Sequence, residues 1–351
     1  MTSAARPLET ALLSVAQMTE ADRATIAAGT PGSVLMRNAG NAVAREIIRR
    51  WTPCPVTVLC GPGNNGGDGF VAAGVLARSG WPVRLALLGQ THDLRGDARL
   101  HAAEWTAAVE PVGIAAIEGA ALIVDALFGT GLRRPLEPVA ALTLAAAAER
   151  GMPLIAVDVP SGVLGDTGAS LGAAAAVCTV TFARKKPAHV LLPGRELCGE
   201  IVVADIGIPR AVLEALPIDT WENDPTLWRT LLPHAGAAGN KYTRGHALLI
   251  GGYPMTGAAR MAARAAARVG AGLTTIAVPQ VAFAIYAAAL TSIMVQPLSR
   301  DGDLARLLGD PRYSACLIGP GAGVSDATRA AALEILATAR PVLLDADAIS
   351  V

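Results

Sequence analysis

Three short stretches hold residue types that can do chemistry at a single site. The first is Cys60-Gly61-Pro62-Gly63-Asn64-Asn65-Gly66-Gly67-Asp68-Gly69. Its glycines permit close backbone approach, and a helix opening there offers free N–H groups to an anion. The second is Leu122-Ile123-Val124-Asp125 followed by Ala126-Leu127-Phe128-Gly129-Thr130-Gly131-Leu132-Arg133-Arg134-Pro135. The third is Ile155-Ala156-Val157-Asp158-Val159-Pro160-Ser161-Gly162. Asn65, Asp125 and Ser161 are oxygen donors, which suit a hard cation. The Gly129–Arg134 segment pairs pliable backbone with two guanidinium groups, which suits phosphate. Asp158 is a candidate general acid or base, provided that burial raises its pKa. A plain reading competes with each of these: a glycine-rich turn capped by Asp68, or an Asp that merely closes a strand. The first stretch is neither a GxGxxG fingerprint nor a GxxxxGK[ST] loop. No Ser/His/Asp or Cys/His set is discernible, and His189 reads as a surface or turn residue rather than a ligand.

The elements that must position these residues are legible as apolar runs alternating with Ala-rich helical stretches. Strands are expected over 56–60, 83–88, 122–125, 154–158, 177–182 and 200–203, and helices over 68–79, 97–107 and 136–150. Two more helices are expected within 14–50. Continuously apolar strands separated by helices imply a parallel sheet covered on both faces, an α/β doubly wound fold. In such a sheet ligands sit beyond the carboxyl ends of the strands, where all three stretches lie, so they can meet in one crevice. The pattern breaks over 217–238, where Pro217, Pro225, Pro233 and the 236–239 glycine cluster suggest a linker carrying a short helix. It restarts with strands over 247–250, 273–278, 315–318 and 342–344 and helices over 257–269 and 326–339. The expected organisation is a domain over 1–216, the linker over 217–238 and a second domain over 239–351.

Composition narrows the classes. Hydrophobic residues make up 52% and charged residues 17%, which excludes a disordered chain. The formal net charge is zero, so no basic footprint for nucleic acid is present. No run is long enough to span a membrane, and the N-terminus lacks the apolar core of a signal peptide. The five cysteines form no CxxC pair, which fits free thiols in a reducing cytoplasm. The sequence leaves the oligomeric state open, a homo-oligomer included.

The segments Glu20-Ala21-Asp22, Leu35-Met36-Arg37-Asn38-Ala39-Gly40, the glycine-rich stretch, VDALFGTGL, VDVPSG, Phe182–Pro187 and Asp205–Pro209 together resemble the NAD(P)H-hydrate epimerases, the YjeF N-terminal domain. The later Leu249-Ile250-Gly251-Gly252, Arg268–Leu273, Ile318–Gly323 and Leu344–Ala348 resemble the ADP-dependent NAD(P)H-hydrate dehydratases. The resemblance implies a Rossmann-like, mostly parallel sheet followed by the N-terminal part of a ribokinase-like α/β domain. It implies hydrate contacts at Asn64, Asn65, Gly66, Gly67, Asp68, Gly129, Thr130, Gly131, Leu132, Arg133, Arg134, Pro135 and Asp158. It places potassium on Asn65, Asp125 and Ser161, and further hydrate contacts at Ala258 and Gly323. The expected activity is interconversion of the R and S forms of hydrated NADH and NADPH, with Asp158 as the catalytic proton carrier. The dehydratase reaction would use ADP and Mg2+.

After Asp347 the sequence carries no TPHxGE segment, nucleotide loop or GxGD loop, so the second domain reads as incomplete and its dehydratase activity as doubtful. Two other classes compete: a ribokinase-like small-molecule kinase, which leaves NNGGDG and VDVPSG unexplained, and a non-catalytic nucleotide-binding scaffold on the same N-terminal fold, which needs none of Asn65, Asp125, Asp158 and Ser161.

Overall fold

The computed structural model describes residues 7–232, 236 and 238–351. The chain divides into two compact units, Met1–Leu231 and Leu232–Val351.

The first unit is built on seven parallel strands: β1 (Val56–Cys60), β2 (Val83–Leu87), β3 (Val109–Pro111), β4 (Leu122–Ala126), β5 (Leu154–Val157), β6 (Cys178–Phe182) and β7 (Glu200–Ala204), in the spatial order 3-2-1-4-5-6-7. Strands β1, β4, β5 and β6 are buried along their whole length, which is why they read as continuous apolar runs. Successive residues serve opposite faces. Val58 and Val124 join the core under α2 (Gly32–Arg50) and α3 (Asn64–Arg78), whereas Leu59 and Ile123 pack with Ala140 and Leu144 of the helix Pro138–Glu149. The helix α1 (Val15–Ala27) precedes them, begun by a Ser14/Gln17 capping box.

The doubly wound α/β class expected from the sequence is therefore the one found. Its winding reverses between β1 and β4. The connections after these two neighbouring strands diverge, and a crevice opens at their carboxyl ends.

Three expectations need correction in detail. The strands β3 and Met294–Leu298 went unread, being short or only half-buried. The α3 helix begins at Asn64, four residues earlier than expected, so the asparagines and Asp68 are helical and Asp68 caps nothing. The fifth strand ends at Val157, and Asp158 follows it at φ 68°, in the left-handed region.

In the expected linker, Trp221 bridges to Ala11 and the Leu12 N–H donates to Thr220 O (3.0 Å). A short helix occupies Pro225–Trp228. Pro233, His234, Ala235 and Ala237 lie outside the described residues.

The second unit has five parallel strands: His246–Ile250, Leu273–Pro279, Met294–Leu298, Ala315–Ile318 and Val342–Leu344, with the first at the centre beside the second and fourth. The helix Gly257–Val269 covers one face through Ala259 and Ala263.

Candidate functional site

The turn after β1 is held by contact between backbones. Gly61 donates to Ala126 O (3.0 Å), and a Cβ on Gly61 would lie 1.7 Å from Leu127 O. A Cβ on Gly66, in the first turn of α3, would lie 1.9 Å from Gly61 O. Only glycine lets the helix start this close to the strand. Gly66→Ala gains about 1 kcal/mol of helix propensity, but must displace backbone at a cost of about 3 kcal/mol or more. A lowered denaturation midpoint is therefore expected, and a midpoint equal to the wild type would show that the turn has slack.

This packing brings the three stretches to one cleft of about 660 Å³. Asn64, Asn65, Asp68, Asp158 and the loop Gly129–Arg134 line it. The remaining expected contacts lie elsewhere. Gly66 and Gly67 are buried against Gly61 and Met36, and Pro135 is exposed away from the cleft. Ala258 and Gly323 belong to the second unit, where both are exposed; Gly323 (φ 83°) donates to Asp347 Oδ2 (2.8 Å).

Asp158 is the most constrained residue of the cleft. Its φ of 68° is tolerable for an Asp but uncommon, and turns the side chain into the site. Oδ1 accepts from Lys186 Nζ (2.7 Å) and Thr181 Oγ1 (3.0 Å), and Oδ2 accepts from Thr130 N–H (3.3 Å). Lys186 is 1% exposed and also donates to Thr181 Oγ1 (2.8 Å) and Phe182 O (3.2 Å). Burial alone would raise the Asp158 pKa, but the charge and hydrogen bond of Lys186 outweigh it and hold the carboxyl at about 2. The condition set for Asp158 as a proton carrier is thus not met. At neutral pH it is a fixed anion beside a buried ammonium.

His189 lies in the turn Pro187–His189, one of the two places the sequence reading allowed, but it is buried and not on the surface. Lys186 N–H donates to Nδ1 (2.8 Å), so the ring proton sits on Nε2, which donates to Asp158 O (2.9 Å). Burial, then the Lys186 charge, lower its pKa to about 4, so it holds the Asp158 backbone as a neutral ring.

Two more carboxyls line the cleft. Asp68 is buried, and desolvation first, then the charges of Asp158 and Asp22, push its pKa well above the ordinary value. Asp22, on α1, is raised to about 6, by burial and by Asp158 against the lowering effect of Lys186. Lys186 was missed as a partner of Asp158 because nothing in the sequence pairs them. Only the adjacency of β5 and β6 does.

Beneath the cleft wall, Asp125 is 1% exposed. Its Oδ2 accepts from Ser161 N–H (2.8 Å), and its Oδ1 from Ser161 Oγ (2.6 Å) and Leu127 N–H (3.2 Å). The Ser161 hydroxyl oxygen in turn accepts from Phe128 N–H (2.8 Å). Desolvation raises the Asp125 pKa against these hydrogen bonds. The Asn65 amide nitrogen can donate to Val157 O (3.1 Å) while its oxygen accepts from Gly129 N–H (3.3 Å). Turned over, its oxygen faces Val157 O and is left for a cation. The all-oxygen donor set and the buried Asp125 charge fit a monovalent or divalent hard cation.

Residues 32–188 match the family described as YjeF-related protein N-terminus, and residues 247–351 match NAD(P)H-hydrate dehydratase. A bifunctional NAD(P)H-hydrate repair enzyme of Coxiella burnetii is 35% identical over 95% of this chain and 69% of its own length. An NAD(P)H-hydrate epimerase of Rhodobacter capsulatus is 41% identical over 57% of this chain and its entire length. The crystal structure of yeast ynu0 superposes with a TM-score of 0.50 at 21% identity, over 60% of this chain and 96% of its own, a likeness of fold.

Proposed function

This chain belongs to the bifunctional NAD(P)H-hydrate repair enzyme family, and from that premise we propose that the cleft of its first unit interconverts the R and S epimers of hydrated NADH and NADPH. The observation that carries this reading is the Asp158–Lys186 pair facing the Gly129–Arg134 loop in one cleft. The hydrated ring bears its hydroxyl on the carbon next to the ring nitrogen. As the hydroxyl leaves, the nitrogen lone pair forms a C=N bond and the ring becomes cationic. Water adding from the other face gives the other epimer.

An anion fixed in place by its own hydrogen bonds beside the ring stabilises that cation without reorganising. Asp158 supplies it. Lys186 and Thr181 hold the carboxylate in place, and the loop that carries Arg133 and Arg134 offers charge to the phosphates. Met18, Leu35 and Met36 give the cleft an apolar side for the ring. The test mixes the protein with both epimers and a separate S-specific dehydratase. The R form should be consumed, and an R form that decays only at its spontaneous rate would sink the reading.

Potassium is the cation proposed for Asn65, Asp125 and Ser161. Bound there, it would neutralise Asp125 and brace the start of the Gly129–Pro135 loop. A ligand present at 100 times its Kd stabilises a fold by about 2.7 kcal/mol. Thermal stability should therefore be higher in potassium than in an equal concentration of tetramethylammonium, and Asp125→Ala should abolish the difference. A wild type indifferent to the cation would remove potassium from the proposal.

For the second unit the proposed reaction is dehydration of the S form with ADP and Mg2+, with Ala258 and Gly323 on the hydrate. The unpaired thiols, all but Cys54 buried, fit a reducing, cytoplasmic setting for both reactions.

A further inference from the structure

Epimerisation by loss and re-addition of a hydroxyl needs two proton-handling groups. The hydroxyl leaving one face must receive a proton, and the water adding to the other must give one up. Asp158, held ionised by Lys186, has no proton to give the leaving hydroxyl, and its lowered pKa makes it a weak base towards the incoming water.

We propose that Asp22 is a catalytic residue of this cleft, taking the proton from the incoming water while Asp68 protonates the leaving hydroxyl. The assignment rests on the epimerase reading and deepens it. Asp22 and Asp68 line the same cleft from different elements, α1 and the first turn of α3. Asp22 Oδ1 is closed to bulk solvent and has no hydrogen-bond partner among the described residues. A carboxylate oxygen buried in that way is costly unless it serves the site. It is not needed as a cap, for α1 is capped by Ser14 and Gln17.

The step balances. The C–O bond breaks with its electron pair going to oxygen, which takes the Asp68 proton and departs as water. The nitrogen lone pair fills the ring C=N bond. Water then attacks the opposite face, its oxygen pair forming the new C–O bond as the C=N pair returns to nitrogen. Asp22 receives its proton. The carboxyl pair ends with its one proton on Asp22, the state that runs the reverse reaction, and exchange with solvent resets it.

The pair works in either direction only while it holds one proton, so activity in both directions has the same pH dependence. The charges facing Asp22 are Lys186, Asp158 and Asp68. Burial and the neighbouring carboxylates raise the pKa of both, with desolvation the largest cause for each. Asp22 takes up a proton as pH falls through about 6, and activity should fall as it loses its capacity to act as base.

The experiment follows separation of the R and S epimers by chromatography, with the full chain and Asp22→Asn and Asp22→Glu. Asp22→Asn should lower kcat by about 10²–10⁴-fold with KM little changed, and its residual rate should lack the decline near pH 6. Asp22→Glu should recover part of kcat and keep the decline. Asp22→Asn should melt at or above the wild type at pH 7, because a carboxylate with one buried, unpartnered oxygen gives way to a neutral amide, and that separates lost chemistry from lost fold. An Asp22→Asn variant that keeps the wild-type kcat and its acid limb overturns the assignment, and so does one that raises KM alone. A wild type that fails to equilibrate the epimers sinks the epimerase reading itself, a result that looks different from either.

Discussion

Asp158→Asn is expected to slow epimerisation by about 10²–10³-fold, the loss typical when one preorganised charge or dipole is taken from a developing ion. The substitution keeps the shape of the side chain. An amide oxygen can still accept from Thr181 and Lys186, and the backbone oxygen still holds His189, but the amide nitrogen would face Thr130 N–H, so that one loop contact is lost. What disappears is the negative charge beside the ring. The loss should therefore fall on kcat, with KM for the hydrate within a few-fold of the wild type. Lys186 then lacks its counter-ion, so a lower melting temperature is expected too, and the rate must be taken where the variant is folded. The carboxyl sits at about 2 in the wild type, so its charge is constant above about pH 4. Any pH dependence near 6 must then belong to another group, and should survive in Asp158→Asn. A folded variant with near-wild-type kcat would remove Asp158 from the chemistry.

Much of this architecture was legible because parallel strands buried on both faces leave uninterrupted apolar runs. Val56–Cys60 and Ala315–Ile318 were read to the residue for that reason. Strand Met294–Leu298 contains Gln296 and Pro297 and is nowhere fully buried, so it carries no such signal. The early start of α3 was hidden differently. Asn-Asn-Gly-Gly has poor helix propensity, and tertiary packing against α2 and β1 overrides it.

The functional loops could be located because each follows a strand, but the electrostatics could not. Whether burial raises an Asp or a neighbour lowers it depends on what the fold sets beside it. Nothing local to Val157-Asp158-Val159 announces Lys186, and nothing local to Ala21-Asp22-Arg23 announces a buried, unpartnered oxygen. A carboxylate motif therefore marks where a carboxyl can stand, but not what its neighbours do to its protonation.

Lys186→Met tests the pairing from the other side. Lys186 and Asp158 are both buried, and removing one member of a buried ion pair costs about 3–5 kcal/mol, because the other charge is left in a low dielectric. The pH dependence of stability should change sign as well. In the wild type Asp158 is depressed below its unfolded value of about 3.9, so the pair contributes stability above that pH and loses it as pH falls towards about 2. Without Lys186, burial is opposed only by the lesser effects of His189 and the Thr181 hydrogen bond, and the folded pKa is expected to rise above the unfolded one. The carboxyl then favours the fold below about pH 3.9, and that contribution is lost as pH rises through the new folded value. Chemical denaturation at pH 4 and pH 7 should thus show the variant recovering at acid pH part of what it lost at neutral pH. Its residual epimerase activity should run the other way, rising with pH as Asp158 ionises. The double variant Asp158→Asn/Lys186→Met should be less destabilised than the sum of the single variants, because neither charge is then left alone. Additive losses, or a variant whose stability shows the wild-type response to pH, would mean that Lys186 does not set the charge of Asp158, and the electrostatic account of the cleft would fail with it.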